Sequence, residues 1–81
     1  MNTLNRKPLV LTSLGISKST LHNRINAGLM TPPISIGDRA VAWPSNEIES
    51  LVNAHISGKT PEEIKLLVKV LIEKRKEAGS A

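Results

Sequence analysis

The chain has 81 residues, no cysteine, a single aromatic side chain (Trp43) and a formal net charge of +4. A chain this short makes one small domain that buries only roughly 60 % of its unfolded surface, with no disulfide to support it and no thiolate to hold a metal. No apolar run exceeds four residues, far below the roughly twenty of a membrane span, and the polar stretch 1–8 lacks the apolar region of a signal peptide.

In chain order, residues 1–7 are polar and aperiodic and read as a disordered arm. Pro8 suits the first turn of a short helix, with Leu9, Val10, Leu11 and Leu14 for its inner side and Gly15 as its stop. Ser17 reads as the N-cap of a second helix, Lys18 to Ala27, which Gly28 closes. Leu21 and Ile25, one turn apart, are its strong apolar positions. Most of its surface is therefore polar, with Lys18, Ser19, His22, Asn23 and Asn26 outward, Thr20 and Arg24 at the margins, and no acid among them.

Thr31-Pro32-Pro33 breaks the helix, and two short apolar runs around Gly37-Asp38-Arg39 predict a β-hairpin with a three-residue loop. Alternation assigns Ile34, Ile36, Val41 and Trp43 to its buried face and Arg39 to its tip. A third helix starts at Pro44-Ser45, with Glu47 and Glu49 placed where the helix dipole favours acids, and Ile48, Leu51, Val52 and His55 on its inner stripe. Thr60-Pro61-Glu62-Glu63 is a capping box with proline at the first helical position. Ile64, Leu67, Val68, Leu71 and Ile72 then repeat at helical spacing, with Leu66 and Val70 widening the stripe. From Glu73 onward a charged tail is expected to fray. The domain plan is thus one unit over residues 8–57, a C-terminal helix over 58–78 that packs on it or mediates self-association, and a tail over 79–81.

The placement of charge says more than its total. Residues 1–44 hold Arg6, Lys7, Lys18, Arg24 and Arg39 against Asp38, five minus one, while residues 45–81 hold six basic and six acidic residues. All the net charge lies in the first half, which suits a polyanion partner. One aromatic residue speaks against a single-strand stacking platform, which needs several exposed rings. Two short helices on a glycine turn, the second polar and basic, match a helix-turn-helix, and the hairpin after it makes a wing.

The runs Gly15-Ile16-Ser17-Lys18-Ser19-Thr20-Leu21, Ile25-Asn26-Ala27-Gly28, Pro33-Ile34-Ser35-Ile36-Gly37 and Arg39-Ala40-Val41-Ala42-Trp43 resemble the AlpA family of small phage and prophage regulators. The likeness continues through Ser45-Asn46-Glu47-Ile48-Glu49 and covers residues 9–52. It implies a mainly α fold with a small hairpin wing: a winged helix-turn-helix of MerR and excisionase type, here with an additional C-terminal helix. It further implies a bacterial, cytoplasmic and nucleoid-associated transcriptional regulator or recombination accessory factor, with an integrase or a second copy as partners beyond DNA. Lys18, Ser19, Thr20, His22, Asn23 and Arg24 fall on the recognition helix and Arg39 on the wing. His22 stands where many members carry an aromatic residue, and the segment before Gly15 lacks the family's acidic residues.

By chemistry, Lys18 and Arg24 suit phosphates, as do Ser19 and Thr20 near a helix N-terminus. Asn23 suits bidentate reading of adenine and Arg24 of guanine. Arg39 suits a narrow minor groove, and Arg6 and Lys7 add backbone contacts. Plain solvated charge remains the competing account of Lys18 and Arg24, and hydrogen bonding to water that of Asn23 and Asn26. No metal site is expected, since His22 and His55 lie far apart without a third ligand. No cofactor or catalytic residue is expected either: Ser17 has no base and acid around it, and paired carboxylates are missing. The alternative function is a protein-interaction adaptor using the last helix, for which Leu67, Val70 and Leu71 are the candidate self-association residues.

Overall fold

The computed structural model describes residues 3–79, so Met1 and Asn2 of the expected arm and Ser80 and Ala81 of the expected tail lie outside the described residues. The elements are β1 (Leu4–Arg6), α1 (Lys7–Leu14), α2 (Lys18–Ala27), β2 (Ile34–Gly37), β3 (Ala40–Pro44), α3 (Ser45–Ile56) and α4 (Pro61–Gly79). This is a helix-turn-helix with a wing and a further C-terminal helix.

The turn between α1 and α2 follows from Gly15. Its φ of 66° is left-handed, and there the Gly15 N–H reaches Thr12 O at 3.3 Å while Ile16 N–H reaches Leu11 O at 3.1 Å. Those two bonds satisfy carbonyls that the end of a helix leaves open. Ser17 then caps α2 through its Oγ, which accepts from the Thr20 N–H at 3.2 Å.

The sheet differs from the sequence-based expectation in two ways. Residues 4–6 are not a loose arm but an edge strand, paired antiparallel with β3 so that Leu4 meets Pro44 and Arg6 meets Ala42. Thr3 extends this seam, donating its N–H to Ser45 Oγ at 2.8 Å and accepting from Ser45 N–H. Asn5 and Arg6 have no hydrophobic alternation to announce a strand; the open edge of β3 orders them. The strand order is β1-β3-β2, so β3 is central. Ala42 and Trp43, whose side chains point to opposite faces, are both fully buried, so β3 is covered on both faces.

On β2, simple alternation fails. The β2–β3 register shifts between Ser35 and Gly37, and Ile36, expected inside, is 42 % exposed. Ile34 and Val41 are only half-buried. Gly37 belongs to the strand at φ 147°, which leaves a tighter turn than expected, formed by Asp38 and Arg39.

The core gathers Val10, Leu21, Met30, Trp43, Ile48, Leu51, Ala54, Ile64, Val68 and Leu71. Trp43 anchors the wing inside it, donating from Nε1 to Thr31 O at 2.9 Å. His55, expected on the inner stripe of α3, is exposed, and Ala54 takes that place.

Helix α4 begins with the expected capping box: Glu63 N–H donates to Thr60 Oγ1 and Thr60 N–H to Glu63 Oε1. These bonds, with Lys59 nearby, hold the Glu63 carboxyl below its ordinary pKa. Because that pKa is depressed on folding, the cap is complete at neutral pH and is lost as pH falls through it.

The end of α4 corrects a further expectation. Residues after Glu73 do not fray; the helix continues to Gly79. Arg75 reaches back and holds Glu47 by Nε to Oε2 and Nη2 to Oε1, both 2.6 Å, and gives a further bond from Nη2 to Pro32 O at 2.8 Å. Glu47 is 2 % exposed, so it serves as a buried partner and not merely as a dipole-favoured surface acid.

Removing one member of such a pair strands a charge. Arg75→Ala should therefore lower unfolding free energy by about 3 kcal/mol. Arg75→Met combined with Glu47→Leu should recover most of that loss, as read by urea denaturation.

Candidate nucleic-acid interface

Helix α2 commits little of its surface to the core. Leu21 is buried and Ile25 packs against the core from a half-buried position. The remaining positions face outward or sideways, and their chemistry is that of donors, acceptors and cations.

An open groove of about 840 Å³ is lined by Lys18, Ser19, His22, Asn23 and Asn26 of α2, with Leu21 and Ile25 of the same helix, and by Pro33, Val41 and Trp43. Lys7, the first residue of α1, joins the same groove. The β1 strand sets that position: pairing of Arg6 with Ala42 delivers the chain to the sheet one residue before α1 begins. Lys7 and Lys18 thus border one groove that no acidic residue lines. The side chains of Lys18, Ser19, His22, Asn23 and Asn26 are all exposed.

The structure separates two of the sequence candidates from this set. Thr20 is half-buried, and its hydroxyl lies 3.0 Å from Ser17 Oγ within the α2 cap. Arg24 is also half-buried and lines a different groove, of about 380 Å³, with Ser13, Leu14, Val52, His55 and Ile56. Asn26 is the residue that joins the first groove in their place; its position one turn after His22 was the signal for it.

Arg39 sits exposed at the wing turn with φ 57°, the one described non-glycine residue with positive φ. A left-handed conformation costs a side chain such as arginine roughly 1–2 kcal/mol, and strain of this kind concentrates at functional positions. Arg6 is exposed on β1.

Of the candidate self-association residues, Leu71 is 3 % exposed and belongs to the core. Leu67 packs against that core from a half-buried position. Leu71 offers no free surface, because the buried stripe of α4 runs through Ile64, Val68 and Leu71. Val70 is 50 % exposed, and its outward companion is Leu66 at 61 %. Among the described residues no cluster of three metal-ligating side chains occurs, and no helix is long and apolar enough to cross a membrane.

The family model described as prophage CP4-57 regulatory protein (AlpA) matches residues 4–56, from β1 to the end of α3. The chain is also similar to the uncharacterized protein ORF88 of Enterobacteria phage P4, with 33 % identity over 54 residues, which is 67 % of this chain. It spans 61 % of the length of that relative. No solved structure gives a significant match. With the family match running over most of the chain, through β1, both helices of the turn, the wing and α3, the protein belongs to the AlpA family of prophage regulatory proteins.

Proposed function

We propose that this protein is a sequence-specific double-stranded DNA-binding regulator that lays α2 in the major groove and uses the β2–β3 hairpin as a wing. The observation that carries this reading is the groove face of α2, where Lys18, Ser19, His22, Asn23 and Asn26 stand exposed beside Lys7 with no acid among them. Lys7 and Lys18 neutralise phosphates and release counterions. Ser19, in the first turn, bonds phosphate together with open backbone N–H groups. Asn23 and Asn26, with amides that donate and accept, read base edges, adenine above all. Arg39 extends from the wing turn to the adjacent minor groove or its phosphates, and Arg6 reinforces backbone contact. Arg24 serves DNA only from the margin, through phosphate and not through a base.

Membership of a prophage regulatory family supports a role in transcription control or as an excisionase-type accessory factor acting with an integrase. The two roles differ in what they ask of DNA, since an architectural factor bends its site and a simple regulator need not. A circular-permutation gel-shift assay on the cognate site separates them. The adaptor reading draws support only from Leu66 and Val70, too small a surface to replace the DNA-facing one.

Binding of a cognate duplex should weaken with salt at a slope of log K against log salt of roughly −2 to −4. A slope near zero in fluorescence-anisotropy titrations overturns the proposal. Asn23→Ala should cost about 1–3 kcal/mol on the cognate site and almost nothing on random duplex.

Arg39→Asn separates strain from contact. Asparagine tolerates the left-handed turn, so thermal stability should hold or rise slightly. DNA affinity should nevertheless fall, and the salt slope shrink by about one.

A further inference from the structure

Two surfaces away from the α2 groove complement each other. The first is the smaller groove between α1, α2 and α3, where Leu14, Val52 and Ile56 supply apolar walls and Arg24 and His55 supply nitrogen donors. Ile56 is 78 % exposed at this groove. Arg24 is half-buried and forms no ion pair among the described residues.

The second surface is the outer stripe of α4. Glu62, Leu66, Val70 and Glu73 follow one another at helical spacing and are all exposed, so they share one face. It is an apolar pair with an acid at each end, edged by Lys69, and Glu73 also keeps an exposed ion pair with Lys76 at 3.4 Å. Ile64, Val68 and Leu71, on the opposite side of the helix, face the core. The outer stripe therefore cannot reach the groove of its own chain.

We infer that α4 of one copy docks its Leu66–Val70 stripe into the Arg24–His55 groove of a second copy, in a head-to-tail contact. Apolar surface meets apolar surface, and Glu62 and Glu73 meet Arg24 and His55. Self-pairing of either surface is disfavoured by charge. Two α4 stripes side by side bring acid to acid: antiparallel, with Leu66 against Val70, Glu62 approaches the partner's Glu73; parallel, each acid meets itself. Two grooves face to face oppose Arg24 to Arg24. The heterologous arrangement avoids both conflicts.

A heterologous contact leaves every end copy with one unused surface, so it propagates instead of closing. The apolar area is small, and the contact is correspondingly weak between free molecules. Neighbouring copies on adjacent DNA sites gain effective concentration; that extension along DNA rests on the proposed function, whereas the contact itself does not.

The test is sedimentation velocity of the full chain without DNA, up to millimolar concentration, on Ile56→Asp and Leu66→Asp. Both positions are exposed, and circular dichroism checks that each variant folds. Wild type should self-associate with concentration, and each variant alone should do so roughly tenfold more weakly or worse. An equimolar mixture should recover a dimer and nothing larger, because one variant keeps its groove and the other its stripe. Glu62→Lys with Glu73→Lys, also remote from the core, should behave as Leu66→Asp does. A wild type that stays monomeric throughout, a mixture that recovers nothing, or a Leu66→Asp variant that self-associates as strongly as wild type overturns the proposal. Binding of Leu66→Asp to a single-site duplex, measured separately, should match wild type, so failure of the contact and failure of DNA recognition read out in different experiments.

Discussion

Arg75 holds Glu47 with two short hydrogen bonds and Pro32 O with a third, and much of the geometry around the α2 groove depends on that fork. Glu47 lies in the first turn of α3, directly after the central strand, and Pro32 lies in the segment that leads into β2. One guanidinium thus ties the C-terminal helix to both ends of the wing. Arginine's planar donors make such a three-point contact, where a lysine would offer a point charge. The family match stops at residue 56, so this chain braces the shared unit with a helix that lies outside the match.

The bracing matters because the domain has little core to spare. Trp43 is its one large aromatic anchor, with Ile and Leu residues from three helices around it. The surface of α2 meanwhile is left to polar groups, with Leu21 alone fully buried. A helix so weakly fastened is stabilised by its two ends: the Ser17 cap at one and the left-handed Gly28 at the other. The exposed polar face is what a DNA reader needs, and the caps and the core beneath allow it.

Much of this was legible in the residues. Gly15, Ser17, Gly28 and the Thr60–Glu63 box act locally, through backbone conformation and bonds within a few positions, and local rules locate them. What escaped was decided at long range. Residues 4–6 become a strand because β3 has an open edge 36 to 40 residues away, as the pairing of Leu4 with Pro44 and Arg6 with Ala42 shows. Arg75 finds Glu47 across 28 positions, a separation no spacing rule covers. Ile36 turns outward because the register shifts beside it. At the site, helical periodicity placed Lys18, His22 and Asn23 on the exposed side, but it could not say which neighbouring element Arg24 would lean towards; packing of α2 on α1 and α3 decided that.

The sheet has two borders, β1 and β2, and both are poor templates for a foreign strand. Short edges, charges and proline are what limit edge-to-edge pairing. β1 has three residues, ends in Arg6 and runs into Lys7-Pro8; β2 has four, follows Pro32-Pro33 and carries the register shift. Few consecutive amides stand free on either side. A small, basic protein of this build can therefore crowd at high local concentration without its sheets pairing edge to edge.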